Sequence, residues 1–131
     1  MAGRRILVVD DDAESLLALG ALLRDWGCDV ATAGSGEEAL AAVAAAPPDV
    51  VLADLTLPVM DGCTLARRLR ALSAGDALLL VAPSGHTEPE TVECATAAGF
   101  DYYVAKPADP DKLRALIADG ATRPPREPRA Q

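Results

Sequence analysis

Aromatic residues are nearly absent from this chain: one Phe, two Tyr and one Trp make up 3% of 131 residues. A core without rings has to be aliphatic, built mostly from Leu, Val and Ala. Histidine occurs once, at His86, and the three cysteines, Cys28, Cys63 and Cys94, show no C-x-x-C or Cys/His spacing. That pattern excludes a zinc cluster and a disulfide scaffold, and the cysteines read as small apolar residues in a reduced compartment. No run approaches the ~20 apolar residues of a membrane span, and the apolar run behind Arg4 and Arg5 is too short for a signal peptide. Basic residues are also scarce, 12 Lys and Arg against 20 Asp and Glu, for a net charge of −8. Such a balance argues against nucleic acid as the direct partner. What is left is a soluble, cytoplasmic, one-domain chain with a basic or phosphate-carrying protein as its partner.

The apolar residues are arranged in alternating periods. Ile6 to Val9 is a short β-branched run that stops at Asp10, the mark of a buried parallel strand. Leu16, Leu19, Leu22, Leu23 and Trp26 then recur at helical spacing until Gly27, which suits a left-handed cap. Asp29 to Ala33 is a weak second strand. Ser35-Gly-Glu-Glu38 reads as a capping box opening a helix that Pro47 and Pro48 stop. Asp49 to Ala53 is the third strand. In the helix from Cys63 to Leu72, Leu65, Leu69 and Leu72 face inward, and Arg67, Arg68 and Arg70 form its wet face. Ala77 to Ala82 is the fourth strand. Thr87 and Glu90 cap a helix ending at Gly99, Phe100 to Ala105 contains the fifth strand, and Asp109-Pro110 opens a last helix ending near Gly120. Residues 1–121 thus form the domain, and the Pro- and Arg-rich 122–131 is a disordered tail or linker stub.

Five βα units in strict alternation imply an α/β fold, a doubly wound parallel sheet with helices on both faces. In such sheets ligands bind beyond the carboxyl ends of the strands. That rule brings Asp10, Asp11 and Asp12, Asp54, Ser84 and Lys106 to one edge. Converging carboxylates repel unless a cation compensates, and hard oxygen donors with room for water suit Mg²⁺. Asp12 is the member of the triplet best placed to cap the first helix, leaving Asp10 and Asp11 for metal. Phosphoryl transfer needs an in-line nucleophile and positive charge on the equatorial oxygens. Asp54 can supply the first as an acyl-phosphate former. Mg²⁺ and Lys106 can supply the second, with the Ser84 hydroxyl and the Gly85 backbone N–H bonding the phosphate.

The segments ILVVDDD (6–12), DVVLADLTLPVMDG (49–62) and YVAKP (103–107), with the Ser84 hydroxyl between the last two, resemble the receiver domain of two-component response regulators. The likeness runs from Arg5 to about Gly120. It implies a flavodoxin-like sheet in the order 2-1-3-4-5, and Asp54 as the acceptor of a phosphoryl group from a sensor histidine kinase or phosphotransfer protein. It also implies that Asp11 and Asp54 bind Mg²⁺ directly, Asp10 through water, and that the Thr56 backbone carbonyl completes the ligands. Ser84 becomes the switch hydroxyl, Tyr103 the aromatic that rotates behind it, and Lys106 the cation paired with the phosphate. Thr56 and His86 hold the two positions that look like tuners of phosphate lifetime. The implied function is a signalling switch that changes its hold on a downstream effector protein, not a turnover enzyme.

Two departures and two rival readings stand beside this. Pro83 takes a position where an N–H-bearing residue is usual, removing a strand donor and holding Ala82 extended, which stiffens the switch. Ala108 replaces a bulkier residue. An aspartate-nucleophile phosphatase needs a second carboxylate two residues after the nucleophile, where this chain has Thr56. A phosphate-independent pseudo-receiver is countered by intact Asp11, Asp54, Ser84 and Lys106.

Overall fold

The computed structural model describes residues 4–53, 62–72, 78–84 and 97–105, with 111, 114 and 115; for 83, 84 and 102–105 it describes the backbone alone. Its elements run β1 (Arg5–Val9), α1 (Ala13–Asp25), β2 (Asp29–Ala33), α2 (Gly36–Ala45), β3 (Val50–Ala53), α3 (Gly62–Ala71), β4 (Leu79–Ser84) and β5 (Tyr102–Ala105). All the strand pairs are parallel, and the order is β2-β1-β3-β4-β5, as the resemblance implies. Leaving β1, the chain goes first to one side of it and then to the other. The carboxyl ends of β1 and β3 therefore border the point where the strand order reverses, where a crevice opens in such sheets.

Strand alternation divides the core in two. Leu7, Val9, Val51, Ala53, Leu80 and Ala82 point to one face and pack with Ala39 and Val43 of α2 and with Leu65, Ala66 and Leu69 of α3. Ile6, Val8, Val50, Leu52, Leu79 and Val81 point to the other, against Leu23 and the half-buried Leu16, Leu19 and Trp26 of the α1 region. The Arg114 guanidinium stands 5.6 Å from the centre of the Trp26 ring on that second face. Burial on both faces is why β1 and β3 read as unbroken apolar runs. β2 is an edge strand with Asp29, Ala31 and Thr32 exposed, which explains its weak signal.

Local chemistry fixes the element ends. Gly27 has φ 88, and the Cys28 N–H donates to the Leu23 carbonyl while the Gly27 N–H donates to Arg24, the two bonds of a Schellman motif. Ser35 accepts from the Glu38 N–H at 3.2 Å. Its predicted reciprocal partner differs: Glu38 Oε2 accepts from the Gly34 N–H at 2.6 Å, one residue before the cap. The extended backbone of Ser35 (φ −154, ψ 166) carries the chain away from the helix there, and the long Glu side chain follows it.

Three expectations need correction. β4 lies further along the chain than Ala77–Ala82, because Pro83 does not end it: Pro83 pairs with Val104 and Ser84 with Ala105. A proline ends the ladder only with the neighbour that its N–H would have faced, and pairing with the other neighbour can run on. Arg70 is not on the wet face. Arg67 and Arg68 are exposed, but the Arg70 side chain is only 9% exposed. Its Nη2 donates to Asp101 Oδ2 at 2.8 Å and to the Gly99 carbonyl at 2.7 Å, Nε donates to the Gly99 carbonyl at 3.0 Å, and Nη1 donates to the Leu78 carbonyl at 2.7 Å. Asp101 Oδ2 also accepts from the Leu80 N–H at 2.9 Å. Finally, Cys63 is in a disulfide, while Cys28 is the buried free thiol expected, its pKa raised by burial against the pull of the N-terminal amine and Arg4. Cys94, the predicted helix from Thr87 to its later turns, and the tail 122–131 lie outside the described residues.

Candidate phosphoryl-acceptor edge

The site is built on strand ends, so register decides it. At the entry to the sheet, Asp49 clamps β1 to β3: the Arg5 N–H donates to Asp49 Oδ2 at 2.9 Å and the Asp49 N–H to the Arg5 carbonyl at 2.8 Å. From there the strands run level, Ile6 opposite Val50 through Val9 opposite Ala53. Both therefore finish together, one residue before Asp10 and one before Asp54. On the other side, β4 and β5 finish together with Ser84 opposite Ala105, the residue before Lys106. Four strand ends thus share one edge, each followed by or ending on a residue of the predicted constellation.

The described part of the acidic cluster is ordered by its own backbone. Asp10 is only 8% exposed, and its Oδ1 accepts from the Asp12 N–H at 3.0 Å. Its own N–H donates to the Ala33 carbonyl of β2 at 3.1 Å. Asp11 is exposed. Asp12 is the N-cap of α1, as expected: Oδ1 accepts from the Glu14 N–H at 3.2 Å and Oδ2 from the Ser15 hydroxyl at 2.9 Å. One carboxylate of the triplet is thereby spent on the helix, while Asp10 and Asp11 stay at the edge. As a donor set these two fit a hard divalent cation: carboxylate oxygens, one group held in place by a backbone amide and the other facing water. Among the described residues no group of three Asp, Glu, His or Cys side chains lies close enough to hold a metal by itself. Asp54, Thr56, Gly85, His86, Lys106 and Ala108 lie outside the described residues, and for Ser84 and Tyr103 the backbone alone is described, on neighbouring strands.

The family model described as response regulator receiver domain matches residues 6–118, nearly the whole chain. The chain belongs to this family. The receiver is 41% identical over 125 residues to the DNA-binding response regulator MtrA of Mycolicibacterium paratuberculosis, an alignment covering 95% of this chain and 54% of the relative. It thus spans about half the length of that curated relative. Among solved structures it resembles the chemotaxis protein CheY4 of Vibrio cholerae, with 30% identity and TM-score 0.84 over 89% of this chain and 98% of the other. It also resembles the receiver domain of a sensor histidine kinase from Pseudomonas aeruginosa, with 28% identity and TM-score 0.86 over 93% of this chain and all of the other. That neighbour holds a magnesium ion in its active-site cleft. The receiver fold that the resemblance implies is therefore the fold of this chain.

The feature that sequence reasoning missed is the Arg70–Asp101 pair at the opposite end of β4 and β5. One signal for it was present: an acidic residue directly after the apolar Gly99-Phe100, at the entry of a strand, needs a cation once buried. Nothing in the local pattern says that the cation comes from the third helix.

Proposed function

We propose that this receiver accepts a phosphoryl group on Asp54 from the phosphohistidine of a sensor histidine kinase or a phosphotransfer protein. A carboxylate oxygen of Asp54 attacks phosphorus in line, the new O–P bond forms as the histidine N–P bond breaks, and the imidazole leaves and takes up a proton. The product is an acyl phosphate. Asp10 and Asp11, with Asp54 and the Thr56 carbonyl, would hold Mg²⁺, which when bound neutralises charge on the phosphoryl oxygens. Lys106 pairs with one of those oxygens, and the Ser84 hydroxyl and the Gly85 N–H donate to others. Tyr103 follows Ser84 in the switched state, and Thr56 and His86 influence how long the phosphate survives.

The observation that carries this reading is the register Val9 opposite Ala53. Two strands whose next residues are Asp10 and Asp54 end side by side where the strand order reverses. The phosphate is taken once and lost by slow hydrolysis, so the receiver acts by altering its grip on an effector protein and not by turnover. The DNA binding named for MtrA belongs to a relative almost twice as long, and the net charge of −8 here favours a protein effector. We place the receiver in the cytoplasm, beside its phosphodonor; none of its described helices is long and apolar enough to cross a membrane. In that compartment the Cys63 disulfide faces reducing thiols.

Beryllofluoride with Mg²⁺, standing in for the phosphoryl group, tests the switch. The backbone amide signals of β4 and β5 should move in the wild type and stay still in Asp54→Asn. Unchanged signals in the wild type would refute the assignment.

A further inference from the structure

The two neighbours of β4 do not hold it equally. Its pairing with β3 runs from Leu79 opposite Val50 to Val81 opposite Leu52 and stops, whereas its pairing with β5 runs on to Ser84. The hydrogen bonds show why. The Leu79 N–H donates to the Asp49 carbonyl on the β3 side, and the Leu80 N–H turns to Asp101 on the β5 side. Along a strand these directions alternate, so residues 81 and 83 face β3, and residues 82 and 84 face β5. Each β3-facing donor serves a carbonyl two residues further along: Asp49, then Val51, then Ala53. The donor due to Ala53 is the N–H of residue 83, and residue 83 is proline.

We propose that Pro83 is a positioning residue that uncouples the end of β4 from the acceptor strand. It withholds the ladder bond from the Ala53 carbonyl, in the peptide that leads into Asp54. Among the described residues, the end of β4 that carries Ser84 is consequently paired with β5 alone. Ser84 and Ala105, the residue before Lys106, form one paired unit that moves together relative to Asp54. The proline thus loosens the end of β4 from the acceptor strand, the reverse of the stiffening expected from its effect on Ala82. This inference rests on the reading of Asp54 as phospho-acceptor and Ser84 as its switch hydroxyl.

Pro83→Val, with Pro83→Ala as a second variant should valine disturb the fold, restores the N–H. The amide of residue 83 should then exchange with solvent at least about tenfold more slowly than an open-loop amide, since it gains the Ala53 carbonyl. The unfolding temperature should stay level or rise, while half-conversion by beryllofluoride and Mg²⁺ should require roughly three- to tenfold more ligand, because the switched state now breaks a bond. A generic packing defect would lower both stability and response, so opposite signs distinguish the two. An unprotected amide at residue 83, or a beryllofluoride response as strong as wild type, would overturn the proposal. A wild type that takes no beryllofluoride sinks the assignment of Asp54 instead, and the exchange measurement still decides the ladder.

Discussion

The two ends of the same parallel sheet have been built to opposite rules. At the amino-terminal ends of β4 and β5, a guanidinium and a carboxylate are buried together and surrounded by backbone acceptors and donors. Arg70 reaches Asp101, Gly99 and Leu78, and Asp101 in turn accepts from Leu80. At the carboxyl ends of β1 and β3, like charges gather: Asp10, Asp11 and Asp12 follow one strand and Asp54 the other. Opposite charges that satisfy each other make a rivet. Like charges kept at an edge suit the proposed site, because a bound cation would relieve their repulsion and offset the charge of an incoming phosphoryl group. The contrast also separates the pair that holds the fold from Asp10, Asp11 and Asp54, to which the proposed function assigns chemistry, although all are charged.

The sharpest way to break the contrast is to remove charge from the rivet. Arg70→Met leaves Asp101 buried without its cation and should cost about 3–5 kcal/mol of stability, the usual penalty for splitting a buried pair. Urea unfolding checks it; a loss under about 1 kcal/mol would mean that the pair behaves as a surface salt bridge. At the acidic edge, Asp11→Asn should leave unfolding nearly unchanged and slow Mg²⁺-dependent phosphorylation tenfold or more, about 1.4 kcal/mol of barrier per factor of ten. Stopped-flow uptake from acetyl phosphate over a range of Mg²⁺ concentrations reads this directly. The smallest effect is expected where the two rules meet, at Asp12. Asp12→Ala removes an N-cap and should cost about 1 kcal/mol of stability, with phosphate uptake within about twofold of wild type. A large loss of uptake there would return Asp12 to the metal site.

How much of this could be read from the chain follows from the range of each interaction. The Gly27 terminator and the Ser35 cap are decided within a few residues, and so are the buried strands, whose apolar runs Ile6 to Val9 and Val50 to Ala53 are equally clear. The edge that holds Asp10 and Asp11 was legible because parallel topology alone sends strand ends to one side. Arg70 was not legible: its neighbours Arg67 and Arg68 are solvated, and its partner Asp101 lies in another βα unit. The end of β4 was hidden for a related reason. A proline reads locally as a stop, but whether its missing donor matters depends on which neighbour that position faces, and this is a property of the assembled sheet.

The central claim is most directly tested by intact mass. The receiver is incubated with acetyl phosphate and Mg²⁺ and weighed beside Asp54→Asn and a sample with the metal chelated. The account predicts one added phosphoryl group on the wild type, and none on the variant or without the metal. Equal addition to Asp54→Asn, or none to the wild type, would contradict it.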